Sequence, residues 1–114
     1  VVFPDNFLHG IDTAARRAAA RPATVWGGAS KGVIFTLHLQ RHGVTPARVI
    51  DISPAKQGKF LAASGLEVLS PAQGMAGMQA GDDVFVMNSN YRDEIVALTH
   101  NRFNYLSVEH SDEF

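Results

Sequence analysis

Apolar residues along the chain fall into short unbroken runs separated by stretches of helical spacing. Phe7, Leu8, Ile11, Ala15 and Ala18 recur at intervals of three and four, which predicts a helix from a cap at Asp5 or Asn6 to about Ala20, stopped by Pro22. Ala23-Thr24-Val25-Trp26 then reads as a buried strand, and Val33 to His42 as a helix ended by Gly43. Further strands are expected at Arg48 to Ile52, Leu66 to Leu69, Val84 to Met87 and Phe103 to Val108. Ser70-Pro71 opens a weak helix containing Gly74 and Gly77, and Asn90 is the expected cap of a helix over Tyr91 to His100. Continuous apolar strands alternating with helices imply a parallel sheet covered on both faces. The expectation is therefore a three-layer α/β Rossmann-like domain with a mainly parallel sheet of four to five strands. Residues 1–22 are expected to form a helical lead-in, 23–110 the domain and 111–114 a tail.

Composition narrows the picture without changing it. The chain has 114 residues, 46% hydrophobic and 18% charged, which fits one globular domain. The net charge is -1, and the only basic cluster is Arg16, Arg17 and Arg21 on the first helix. That argues against nucleic acid as a partner, because such binding rests on neutralising phosphates. There is no run of 18 apolar residues, so no membrane association by a spanning helix is expected. With no cysteine there is no disulfide, thiolate metal site or cysteine nucleophile, which fits a cytoplasmic location. The Val1 start, without Met, suggests part of a longer protein.

The chemistry concentrates in one place. Gly27, Gly28, Ala29, Ser30, Lys31 and Gly32 follow a strand and precede a helix, with the G-x-G/A-x-x-G spacing of dinucleotide sites. Small residues let the backbone approach a ligand, the helix start attracts an anion, and Lys31 adds charge. Asp51 lies roughly 20 residues further on, at a strand end, where a carboxylate accepts hydrogen bonds from a ribose or sugar hydroxyl. Ser53, Lys56 and Gln57 follow at the same edge, and Asn88 and Asn90 follow the Val84 strand there. The plainer alternatives are glycines that only permit close packing, a solvated loop at 53–59, and helix capping by Asn90. No Walker A loop is present, because Lys31-Gly32 reverses the required order. His38 and His42 share a helix face but have no evident third metal ligand, so no metal site is expected. Asp82-Asp83 and Asp93-Glu94 read as turn and helix-start acids, and no catalytic acid–base pair is evident.

Val25-Trp26-Gly27-Gly28-Ala29-Ser30-Lys31-Gly32 resembles the opening of the carboxyl-terminal domain in sugar C-methyltransferases. Asp51-Ile52-Ser53-Pro54-Ala55-Lys56-Gln57-Gly58-Lys59-Phe60 is similar to that domain's Asp-x-(Asn/Ser)-Pro-x-Lys-Gln-Gly segment, the most specific part of the likeness. Leu66 to Pro71 and Asp83 to Ile95 resemble its later strands, and the likeness runs collinearly over about residues 24–98. Leu61 to Gly65 and Ser89 depart from the pattern. The resemblance implies a substrate-binding domain for a nucleotide-linked sugar, within or beside a larger S-adenosylmethionine-dependent methyltransferase. The methyl donor and the catalytic base would then belong to a methyltransferase domain in the same or another chain. This chain alone would not be catalytically complete. The residues also admit a stand-alone NAD- or S-adenosylmethionine-binding Rossmann module, or an interaction domain that binds no small molecule.

Overall fold

A computed structural model of the chain describes residues 5–27, 30–61 and 64–107. The elements are α1 (Asp5–Ala20), β1 (Ala23–Trp26), α2 (Ser30–Arg41), β2 (Arg48–Ile50), β3 (Val68–Leu69), α3 (Pro71–Met75), β4 (Asp83–Val86), α4 (Arg92–Leu98) and β5 (Asn104–Ser107), with a 3-10 turn at Ser89–Tyr91. The five strands form one sheet in the order β3-β2-β1-β4-β5. Every pairing is parallel. This is a three-layer Rossmann-like α/β fold.

The unbroken apolar runs explain the layering. All four residues of β1 and all four of β4 are buried, so each strand needs cover on both faces. Val25, Val49 and Phe85 point to one face, where Ala14 and Ala15 of α1 and Phe35 and Leu39 of α2 pack on them. The Phe35 and Phe85 rings meet at 5.4 Å. Trp26, Ile50, Val84 and Val86 point to the other face, against Met75 of α3 and Ile95 of α4. The period-two alternation of side chains thus splits one sequence run between two cores. Gly74 is required on that second face, because a Cβ there would collide with the Ile50 side chain. Of the apolar stripe expected for α1, Ala15 is buried and Ala18 packs beside it. Asp5 and Asn6, expected as the cap, fall inside α1; their side chains, those of Phe7, Leu8 and Ile11, and the tail lie outside the described residues.

Several expected boundaries shift, each for a local reason. Helix α2 begins at Ser30, so Lys31 and Gly32 form its first turn and not part of a longer loop. Strand β2 ends at Ile50, because the Asp51 carboxylate accepts a hydrogen bond from Ser53 N–H at 2.9 Å and turns the chain. Strand β3 loses Leu66 and Glu67 to a local antiparallel contact, in which Phe60 faces Glu67 and Leu61 N–H donates to the Leu66 carbonyl at 2.8 Å. The short helix α3 starts as expected at Ser70, whose hydroxyl and the Gln73 amide form reciprocal caps. Asn90 does not cap the helix after β4. Asn88 accepts from Asn90 N–H at 3.0 Å, and the chain makes the 3-10 turn before α4 begins. Asn88 is the first side chain beyond the strand able to reach the N–H two residues on. Helix α4 stops at Leu98 because His100 and Asn101 are left-handed, with φ of 59° and 54°. Their N–H groups bond the Ala97 and Val96 carbonyls.

Asp83 is not the turn acid expected. It is the first residue of β4, with its side chain fully buried. The carboxylate accepts from Arg17 Nε at 2.6 Å, Arg17 Nη2 at 3.1 Å and Asn104 Nδ2 at 3.0 Å. Arg21 stands 3.7 Å away and donates to the Gly81 carbonyl. Arg17 of α1, with Arg21 just beyond the helix, is therefore the clamp that holds this helix to β4. No helix among the described residues is long and apolar enough to cross a membrane.

Burial pushes the Asp83 carboxyl up, but the hydrogen bonds from Arg17 and Asn104 and the charges of Arg17 and Arg21 hold it below the usual range. A depressed folded pKa means stability that is present above the unfolded value of about 4 and lost as pH falls through the folded value. Arg17→Met is thus expected to lower Tm at pH 7, with the gap to the parent chain closing as pH falls through the depressed folded value of Asp83. Thermal unfolding followed by circular dichroism from neutral to acid pH measures that gap. A gap that persists in acid would assign the effect to packing of the Arg17 stem.

Candidate functional site

In an open parallel sheet, the connections on either side of a reversal in strand order run to opposite faces and leave a crevice at the carboxyl edge. Here the reversal lies between β1 and β4. A cleft of about 650 Å³ opens at that edge. Its floor is Trp26 and Gly27 after β1 and Met87 and Asn88 after β4. Asp51, Ile52, Ser53 and Lys56 line it beyond β2, Lys31 and Gly32 from α2, and Tyr91, Glu94, Ile95 and Leu98 from the α4 side.

Two glycines shape the wall next to β1. Gly27 has a φ of 122°, a conformation that L side chains rarely adopt, and its N–H donates to the Ile50 carbonyl at 2.7 Å. A Cβ on Gly32 would overlap the Gly27 carbonyl oxygen, so the first turn of α2 closes directly onto the loop. The structure thus shows close packing at Gly32, a residue that also lines the cleft. Gly28 and Ala29 lie outside the described residues, as does the side chain of Ser30.

The segment after β2 is folded back on itself. Asp51 is 9% exposed. Its N–H donates to the Leu69 carbonyl at 3.0 Å, while its carboxylate receives Ser53 N–H. Gln57 Nε2 donates to the Asp51 carbonyl at 2.9 Å and does not line the cleft. Its part is to fasten the loop. Lys56 N–H donates to the Ser53 carbonyl at 3.0 Å, a turn that leaves the Lys56 side chain exposed at the cleft.

The cleft thus brings together Gly27, Lys31, Gly32, Asp51, Ser53, Lys56 and Asn88 from the expected set, and leaves Gln57 and Asn90 outside. Sequence reasoning missed Trp26, Ile52, Met87, Tyr91, Glu94, Ile95 and Leu98. Trp26 and Met87 read as core strand residues, and both are buried, yet they also form the cleft floor. The other signal was available: Tyr91, Glu94, Ile95 and Leu98 follow a spacing of three, one and three, which is a single helical stripe. Only Ile95 of that stripe is buried, whereas Tyr91 is 55% and Leu98 43% exposed.

The Trp26 indole N–H is also buried, with no hydrogen-bond partner among the described residues. On the opposite end of the sheet's helical cover, His42 Nδ1–H donates to the His38 carbonyl at 2.8 Å, turning that ring onto its own helix end. Among the described residues no three metal-ligating side chains gather.

Gly32→Ala is expected to destabilise the chain by about 1–3 kcal/mol, through overpacking against the Gly27 backbone. It should also displace the loop from the cleft. Urea unfolding gives the first effect, and the emission of Trp26, the sole tryptophan of the chain, gives the second.

Comparison of the chain with protein-family models, with curated proteins and with solved structures finds no match in any of the three.

Proposed function

We propose that this chain is a nucleotide-sugar-binding domain that serves an S-adenosylmethionine-dependent C-methyltransferase by positioning its sugar substrate. The observation that carries the reading is the convergence of Lys31, Asp51, Ser53 and Lys56 on one cleft where the strand order reverses. A phosphorylated ligand needs a helix start and cations, which α2, Lys31 and Lys56 supply. Its pentose hydroxyls need an acceptor, for which Asp51 at the end of β2 has the right chemistry and place. The likeness of the 51–60 segment to the sugar C-methyltransferases supports the same ligand class.

In this reading the domain contributes orientation and water exclusion, which lower the entropy cost of reaction. The methyl donor and the base that forms the enolate come from a methyltransferase domain in the same or another chain. No catalytic base is assigned to this chain in this reading.

A second reading has its own support. Strand order, glycine loop and an acid at the end of β2 are also the arrangement of a dinucleotide-binding module. NADH or S-adenosylmethionine would then bind with its ribose on Asp51.

Titration of Trp26 fluorescence with a nucleotide-linked sugar, NADH and S-adenosylmethionine separates the two. The first reading expects the sugar nucleotide to bind about tenfold more tightly than either cofactor. Lys56→Ala and Asp51→Asn should each weaken it. The reverse order of affinities would favour the cofactor module. No binding by any of the three would leave an interaction domain.

A further inference from the structure

We infer that the stripe of Tyr91, Glu94 and Leu98 at the α4 side of the cleft is the subsite that holds the sugar ring. The inference rests on the nucleotide-sugar reading and adds which residues read the sugar and which way the ligand lies. The cleft is chemically divided along its length. Its β2 end carries Asp51, Ser53 and Lys56, and its middle carries Gly27, Lys31 and Gly32 at the start of α2. Trp26 and Met87 floor the middle beside Asn88, Ile52 adds an apolar group on the β2 side, and the α4 side is lined by Tyr91, Glu94, Ile95 and Leu98.

A nucleotide whose pentose meets Asp51 and whose phosphates meet the α2 start has only one direction left for the attached group. That direction is across β1 and β4 toward α4. The group met there must offer an apolar face and hydroxyl donors together. A sugar ring does so: its C–H face stacks on an aromatic ring, and its hydroxyls donate to a carboxylate. Tyr91 and Glu94 are three residues apart, so they project from one face and can contact the face and the edge of a single ring.

The exposure pattern supports a ligand at this wall. Large hydrophobic residues left exposed are few among the described residues: Ile52, Phe60, Tyr91 and Leu98. Two of these four, Tyr91 and Leu98, stand on the α4 wall and a third, Ile52, faces the same cleft from the β2 side, so the exposure gathers at the cleft. Ile95 anchors the stripe in the core against Trp26, which fixes the position of its neighbours.

The test compares uridine and thymidine diphosphates with their glucose-linked forms, read by Trp26 fluorescence and confirmed by calorimetry. The parent chain is expected to bind the sugar-linked forms about tenfold more tightly than the bare diphosphates. Tyr91→Ala and Glu94→Gln should each remove most of that advantage and leave affinity for the bare diphosphate unchanged. Both positions are solvent-exposed, so the variants should fold, and thermal unfolding checks this. Lys56→Ala should weaken both ligand types alike. If sugar-linked and bare diphosphates bind equally, or if the two variants leave the difference intact, the sugar subsite is overturned while nucleotide binding stands. If neither ligand type binds, both readings fall. If the variants alter sedimentation of the chain and not ligand affinity, the stripe is a protein contact and the inference is overturned.

Discussion

Strand β1 is hydrogen-bonded on both sides, to β2 through Thr24, Val25 and Trp26 and to β4 through all four of its residues. Because both neighbours run parallel to it, each must be reached by a crossover, and the two crossovers leave on opposite faces of the sheet. The cleft depends on that constraint. It opens the carboxyl edge at Trp26 and Gly27. It brings Asp51 to one side of the opening and Asn88 to the other. It also divides the apolar residues into two cores, so that α2 and α4 stand over the edge from opposite layers.

The fold was legible because its strands are apolar without interruption. Val25-Trp26, Val49-Ile50 and Val84-Phe85-Val86 admit few environments other than the interior of a parallel sheet. What the pattern could not reveal was decided by contacts distant in sequence. Nothing local to Asp83 distinguishes it from Asp82, yet one is buried under α1 and the other caps the N–H of Gln79 from the surface. Gln57 carries the chemistry of a ligand contact, but the turn at Asp51 brings its amide onto a backbone carbonyl. The polar half of the cleft was legible because strand ends and glycines have fixed places in such sheets. The apolar half was not, because Trp26 and Met87 serve the core and the cleft at once.

This double use has a physical cost that the rest of the fold offsets. A buried indole N–H without an acceptor, a backbone at φ 122° and half-exposed Tyr91 and Leu98 each oppose stability. They gather around one opening, while the opposite edge of the sheet holds the bidentate Arg17–Asp83 pair and its Asn104 support. The cleft and the clamp thus lie at different ends of the same strands. Asp83 and Val86 bound a single four-residue strand, and the path from clamp to cleft runs along it.

The Arg17–Asp83 clamp also orders events in time. The two residues are separated by 66 positions, and α1 precedes every strand of this sheet in the chain. As the chain leaves the ribosome, the helix emerges first but has no acid to hold it until β4 has joined the sheet. Closing so long a loop is slow compared with forming the helix itself. Until then only β1, α2, β2 and β3, among the elements that share this core, are available to cover the Ala14–Ala15 face. Of the elements of this fold, α1 is therefore the earliest in the chain and its ion pair among the last contacts to close.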